Sequence, residues 1–284
     1  MDRISHLPDD ILLKILSCLR TKEVMRTMFL SKRWKYLWMF VPRLEFDDIT
    51  DQFPKPLYVG SSDSDYRIFR QFVDRSLMSF EGQVLQSMYL KLGRRFTGGD
   101  VAIWVRSALQ RGLVDLKLEY SSIILSGPEK LLHSLASVEH LRLCLSASEV
   151  EYPVGICFHR LKHLEVCTCK SEWLDLFMHL LEDSPTLKVI KINQCHPARK
   201  VRPYWNQPSS VPRCMSSNLE ILKWIKYEGT EVEKELLTYI LKTALCLKKA
   251  SFIAKSNDDK KKLQMRPELS LSRRASSTCE LVFN

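Results

Sequence analysis

The chain has no run of about 18 apolar residues, the length a membrane-spanning helix needs, so no transmembrane segment is expected. Its first residues also lack the unbroken apolar stretch of a secretory signal, because Asp2, Arg3, His6, Asp9 and Asp10 interrupt it. Nine cysteines occur, an odd number without regular pair spacing. That pattern speaks against a disulfide framework and for thiols in a reducing compartment. A phosphate-binding loop is missing as well. Gly98-Gly99-Asp100 has neither the lysine nor the spacing, and reads as a turn with Asp100 as a helix N-cap. Cys144, Cys157, His159, His163, Cys167, Cys169, His179, Cys195 and His196 crowd the middle of the chain. Cys167-Thr168-Cys169 is tighter than a zinc knuckle and no second pair follows it, so buried thiols beside strands are expected rather than a metal. A cysteine nucleophile would need a base and an oxyanion site, and no paired carboxylates stand out. The expectation is a non-enzyme without cofactors.

Charge is not scarce, but it lacks organisation. The formal net charge is +10, which raises nucleic acid or an acidic partner as candidates. Lys and Arg are nevertheless spread along the whole length with no aromatic-interleaved basic motif, so a solvated basic surface is the better reading and nucleic acid is disfavoured. Lys260-Lys261-Lys262 beside Asp258 and Asp259 reads as a solvated loop. Arg273-Arg274-Ala275-Ser276 matches a basophilic kinase site, although such tetrapeptides are common by chance. Hydrophobic residues at 45% and charged residues at 27% fit a globular chain, and 284 residues can hold one large domain and a small one.

What the chain does have begins at its amino end. Ile11, Leu12, Ile15, Leu16 and Leu19 recur every three to four residues, the period of an amphipathic helix. Pro8 suits the first helical turn, and Asp9 and Asp10 favour its positive end. Helices over about Lys22 to Leu30 and Lys32 to Phe40 add Val24, Met25, Met28, Phe29, Leu30, Trp34, Leu37 and Trp38. Some 40 residues rarely stabilise so large an apolar cluster alone, so part of it is expected to belong to a partner.

The stretch Ile4 to Val41 closely resembles the F-box in its plant version. The resemblance is carried by Leu7-Pro8, Ile11, Ile15, Leu16, Lys22-Glu23-Val24, Leu30-Ser31-Lys32-Arg33-Trp34 and Leu37-Trp38. Arg20 departs from it, standing where many relatives carry proline. The resemblance implies docking on the Skp-type adaptor of a cullin-based (SCF) ubiquitin ligase, with Leu7, Pro8, Ile11, Leu12, Ile15, Val24, Leu30 and Trp34 as the adaptor-binding residues. Which of these meet the partner and which fill the module's own core stays open at this point.

Residues 42 to about 66 read as a connector, with Pro42, Pro54 and Pro56 and a polar stretch Ser61-Ser62-Asp63-Ser64-Asp65, followed by a helix from Tyr66 to Phe80. Beyond it an L-x-x-L-x-L pattern starts at Leu85, Leu113, Val138, Leu161, Leu187, Leu219 and, degenerately, Leu247. The starts lie 23 to 32 residues apart, close to the leucine-rich-repeat period. Each repeat is expected to supply a short strand, with return helices at Val101 to Gln110, Glu129 to Ala136, Trp173 to Glu182 and Glu231 to Ala244. Stacking then buries what no single repeat can bury. Lys117, Arg142, Lys162, Glu165, Lys188, Lys191, Glu220 and Lys223 fall between the strand leucines and are expected on the solvent side of the sheet. The first six of that group, Glu220 and Lys223 aside, are the candidate substrate-binding residues.

A second resemblance covers Trp205 to Phe252, similar to the FBD region of plant F-box/leucine-rich-repeat proteins. Trp205, Gln207-Pro208, Ser210-Val211-Pro212, Leu219-Glu220, Trp224, Tyr227, Gly229, Glu233, Tyr239-Ile240-Leu241 and Leu247-Lys248 carry it. Leu269 to Asn284 looks like this family's ending, and Cys279 to Phe283 alternates as an edge strand would. Relatives usually carry more repeats between Tyr120 and Val138, so an abbreviated array is expected. The resulting expectation is an α/β chain: a helical F-box (1–48), a linker and helix (49–84), a short irregular leucine-rich-repeat solenoid with a parallel sheet arc (85–200), and a capping FBD region (201–284). The implied role is a non-catalytic substrate receptor of an SCF ligase in the nucleus or cytoplasm, bound to adaptor, cullin and a target protein. The alternative is a leucine-rich-repeat protein-binding module with vestigial or absent ligase function.

Overall fold

The computed structural model describes residues 4–48, 62–93, 95–120, 128–144, 152, 155–169, 173–196, 205–255 and 273–283. Lys260-Lys261-Lys262 and the start of the Leu269 tail lie outside them, as does most of the connector. The chain forms two compact units, Met1–Ser134 and Leu135–Asn284.

Helix α1 (Asp9–Leu16) starts after Pro8, whose extended backbone occupies the N-cap position, and α2 (Thr21–Arg26) and α3 (Trp34–Leu37) continue as short 3-10 turns at Thr27–Phe29 and Trp38–Phe40. The period-3.6 pattern buries one stripe: Leu12, Leu16, Val24, Trp34, Leu37, Trp38 and Val41 form one core, with Leu7, Leu13, Met25, Met28 and Met39 packed on it. The chain then enters strand β1 (Arg43–Asp47), in a segment read from its prolines as connector. Pairing explains the difference. Its Leu44 and Phe46 are buried, its neighbour β2 (Ser87–Leu92) lies parallel to it, and the Glu45 N–H donates to Thr21 Oγ1 at 2.7 Å.

Helix α4 (Ser62–Met78) reaches back over Ser62–Asp65, the stretch read as flexible. Ser and Asp are favoured at helix starts, so a polar opening does not exclude a helix. Helix α5 (Gly98–Leu109) follows β2. Its N-cap is Thr97, and Asp100 is the third helical residue: Thr97 Oγ1 accepts from the Asp100 N–H at 3.2 Å while Asp100 Oδ2 accepts from the Thr97 N–H at 3.0 Å. The sequence reading of Asp100 as the cap itself is thereby corrected. The reciprocal cap leaves Asp100 buried, where Arg70 pairs with it at 3.2 Å. Strand β3 (Asp115–Tyr120) lies parallel to β2 and completes a sheet ordered β1-β2-β3 in this unit. Helix α6 (Pro128–Leu135) runs up to the division between the units.

The second unit carries the remaining repeats. Strands β4 (His140–Cys144), β5 (His163–Cys167), β6 (Val189–Asn193), β7 (Ile221–Tyr227), β8 (Lys249–Ala254) and β9 (Glu280–Phe283) pair in chain order, every neighbour parallel. Helices α7 (Trp173–Glu182) and α9 (Glu231–Thr243) make return crossings, and α8 (Arg213–Ser217) is a short turn of helix in the Pro/Ser-rich loop. Register stacks equivalent leucines. Leu141, Leu164, Ile190, Leu222 and Ala250 form one row and Leu143, Val166, Ile192, Trp224 and Phe252 the next, all buried. A bulge at Lys226, with φ of 60°, shifts β7 by one residue. It lets Lys226 Nζ donate to the Gln194 carbonyl at 2.8 Å. The expected edge strand is β9, stacked on β8 through Phe252 and Phe283 rings 5.4 Å apart. Ser276 is buried, which removes Arg273-Arg274-Ala275-Ser276 as an accessible kinase site.

Candidate functional site

The eight expected adaptor-binding residues divide by burial. Leu12, Val24 and Trp34 lie in the helical module's own core at 0%, 3% and 5% exposure. They fill the module's own core and leave a partner little surface, so for these three the question the sequence left open between core and contact falls to the core. The physical reason is that so small a cluster folds only by turning one apolar stripe inward, and these three side chains lie on that stripe. Pro8, Ile11, Ile15 and Leu30 are exposed, and Leu7 is half-buried against the core. Ile11 and Ile15 stand one turn apart on the α1 face next to the Leu12–Leu16 stripe. Arg33 joins the two ends of this region, since its guanidinium donates to the Leu7 carbonyl and pairs with Asp9, with Nε at 2.9 Å from the carboxylate. The turn after Leu30 is thereby held against the start of α1. Sequence reasoning did not single out Leu19, Phe29, Tyr36 and Phe40 as candidate contacts, yet all four are exposed apolar side chains of the same module, Phe29 at 85%. Periodicity marks them as apolar but cannot say which side of a short helix closes on the core.

The repeat surface divides similarly. Arg142, Glu165, Lys191 and Lys223 occupy one register row across β4 to β7 on the solvent side. Glu165 sits among cations, 3.8 Å from Arg142 Nε and 3.0 Å from Lys191 Nζ, and accepts from Asn193 Nδ2 at 3.2 Å. Lys117 lies on β3 in the first unit, its Nζ 4.1 Å from the Tyr89 ring centroid and 2.7 Å from Glu119. Lys162, Lys188 and Glu220 correct their expected placement: they precede β5, β6 and β7 and lie on the rim, where the chain turns into each strand. Lys162 pairs there with Glu139 at 2.8 Å, and Lys188 with Glu220 at 3.8 Å.

Lys162 and Arg160 hold the Glu139 carboxyl down to about 2 through hydrogen bonds of 2.8 and 2.6 Å. A depressed folded value means the stabilisation is complete above the ordinary 4.5 and is lost as pH falls towards about 2. Glu139→Gln is expected to lower the unfolding free energy from urea titration at pH 7 by less than about 1 kcal/mol, because the partners are solvent-screened, and so to lower the urea midpoint slightly. The two midpoints should then converge between pH 4.5 and about 2, as followed by circular dichroism.

The crowded cysteine and histidine region resolves into separate groups. Cys144, Cys167, Cys169 and His196 converge at the carboxyl ends of β4, β5 and β6. His163 instead packs on His140 with ring centroids 4.2 Å apart and the rings tilted, His179 stacks on Tyr152 at 4.7 Å, and His159 bonds the Cys157 carbonyl at 3.4 Å.

Comparison with known proteins agrees with both ends of the chain. The F-box domain family matches residues 4–45, and the FBD family matches 207–252, a span running from just before α8 through β8 at Phe252. An F-box ahead of parallel repeat strands and an FBD region defines the class, an F-box/FBD repeat protein of plant type. An FBD-associated F-box protein of Arabidopsis thaliana is 42% identical over 442 aligned positions that take in 100% of both chains. An F-box/FBD/LRR-repeat protein of the same plant is 30% identical over 429 positions, 100% of this chain and 99% of that one. The chain belongs to the FBD-associated F-box family. Since 442 positions exceed its 284 residues, that relative carries at least 158 positions that this chain lacks.

Proposed function

We propose that this protein is the substrate-receptor subunit of an SCF ubiquitin ligase, non-catalytic, acting in the nucleus or cytoplasm. The observation that carries the proposal is the exposed apolar set Ile11, Ile15, Leu19, Phe29 and Leu30 on a module whose core is already filled by Leu12, Leu16, Val24, Trp34, Leu37 and Trp38. Such a surface is costly in water and fits a protein interface. The Skp-type adaptor would cover it, and the charged row from Arg142 to Lys223 in the second unit would present a target protein. The chain then contributes proximity, raising the concentration of a target lysine near a ubiquitin thioester held elsewhere in the assembly.

Co-expression with a Skp-type adaptor tests the reading. A stable 1:1 complex on size exclusion, able to recruit a cullin, is expected. A chain that elutes alone with adaptor in excess sinks it. One second reading is a repeat-based binding module with vestigial or absent ligase function, in which the positions missing relative to the 42%-identical homologue have left the receptor incomplete. Elution alone while a target is still captured would select that reading.

A further inference from the structure

We propose that Cys144, Cys167, Cys169 and His196 form a tetrahedral zinc site that clamps three consecutive repeats of the second unit. The four donor atoms lie within 4.8 Å of one another. Cys144 Sγ stands 3.3 Å from Cys169 Sγ and 3.6 Å from His196 Nδ1, and Cys169 Sγ stands 3.9 Å from the same nitrogen. A tetrahedral zinc with bonds of about 2.3 Å to sulfur and about 2.0–2.1 Å to nitrogen separates its ligand atoms by about 3.5–3.8 Å. The measured separations bracket those spacings, and with all four donors within 4.8 Å shifts of about 1 Å or less close the shell around one ion. Cys3His is a structural zinc set, and thiolate with imidazole discriminates against Mg2+ and Ca2+, which take oxygen ligands.

Topology supplies the ligands. Cys144 ends β4, Cys167 ends β5, Cys169 lies two residues on, and His196 follows the end of β6. Cys144 and Cys167 are 23 residues apart and Cys169 and His196 are 27 apart, each close to one repeat, so parallel in-register pairing brings them together. The surrounding backbone supports the site. The Cys195 N–H donates to Cys167 Sγ at 3.1 Å, the kind of outer bond that orients a thiolate ligand, and the Thr168 N–H donates to the Asn193 carbonyl at 3.1 Å. The three cysteines are buried and His196 is exposed, which leaves a side for metal entry.

Ordinary packing of small apolar thiols accounts for Cys214, buried with its Sγ bonded to the Leu181 carbonyl at 3.2 Å. It does not account for three thiols converging on one imidazole nitrogen. Binding needs no electron transfer: each of three S–H protons passes to solvent as its sulfur bonds the metal, and the neutral imidazole gives a lone pair. With Zn2+ the site carries one net negative charge. A Cys144–Cys169 disulfide would instead require a two-electron oxidant and would leave Cys167 and His196 without a role.

The test uses the full chain, expressed with zinc supplied and purified with a thiol reductant and no chelator. Elemental analysis is expected to find one zinc per chain, and Co2+ exchanged for it should produce the intense visible bands of tetrahedral cobalt with a thiolate charge-transfer band. Removing zinc with a chelator should lower the melting temperature, and restoring zinc should recover it. Cys169→Ser and His196→Ala should each weaken binding at least about tenfold, whereas Cys246→Ser, at an exposed thiol outside the cluster, should leave one zinc bound. A reduced wild-type chain without zinc that yields no tetrahedral cobalt spectrum overturns the proposal, whatever the variants do. Full zinc occupancy in both Cys169→Ser and His196→Ala overturns it equally.

Discussion

Replacing Ile11 and Leu30 together by aspartate is expected to abolish adaptor capture while leaving the chain folded. Both side chains face solvent, at 36% and 67% exposure, so neither change opens a cavity. Asp at position 11 falls in the first turn of α1, where a carboxylate suits the positive end of the helix. In a complex the same carboxylates would have to lose their water against an apolar partner surface. Interface anchors of this kind cost about 2 kcal/mol or more each when removed, so a loss of at least about a hundredfold in affinity is expected. Calorimetry with a purified adaptor measures it, and circular dichroism checks the fold. Affinity within threefold of the wild type would place docking elsewhere. Leu12→Ala is the informative contrast: at 0% exposure it should destabilise the helical module by about 2–5 kcal/mol and weaken capture only through that loss.

The second large effect is expected at Trp224. Its side chain is 1% exposed, registers with Ile192 on β6 and Phe252 on β8, and meets the Tyr227 ring edge-on at 5.2 Å. Trp224→Ala should cost about 3–5 kcal/mol, a large part of the roughly 5–15 kcal/mol that holds a domain folded. Because each repeat is stable only against its neighbours, the loss should spread beyond the matched 207–252 segment to β5 and β6. Hydrogen exchange can follow this strand by strand. If protection fell only in β7 and β8, the FBD region would be an independent folding unit, contrary to the continuous leucine rows.

Most of the fold was legible because repeats write their geometry into spacing. The leucine pattern at Leu161, Leu164 and Val166 placed β5 correctly, and the same offset served at Leu187 and Leu219. The misses share one cause, which is that a local signal was decided by a distant partner. Prolines around β1 spoke against structure, but β2 offered a parallel edge to pair with. Lys162 and Lys188 occupy pattern positions between leucines, yet the strands begin only after them, so both point to the rim. The proposed docking residues were recognisable as apolar and by resemblance, while their division into core and surface required three helices to pack.

By itself, the sequence determined the helical module, the order of the strands and the FBD ending, because period, spacing and turn chemistry act over a few residues at a time. Tertiary structure alone decided which apolar side chains stay in water and which cysteines meet. Ile11 and Leu12 are chemically alike and adjacent, and only packing sends one outward and the other inward. Likewise Cys144, the Cys167–Cys169 pair and His196 are separated by 23 and 27 residues, and parallel pairing of β4, β5 and β6 brings their donor atoms within 4.8 Å of one another.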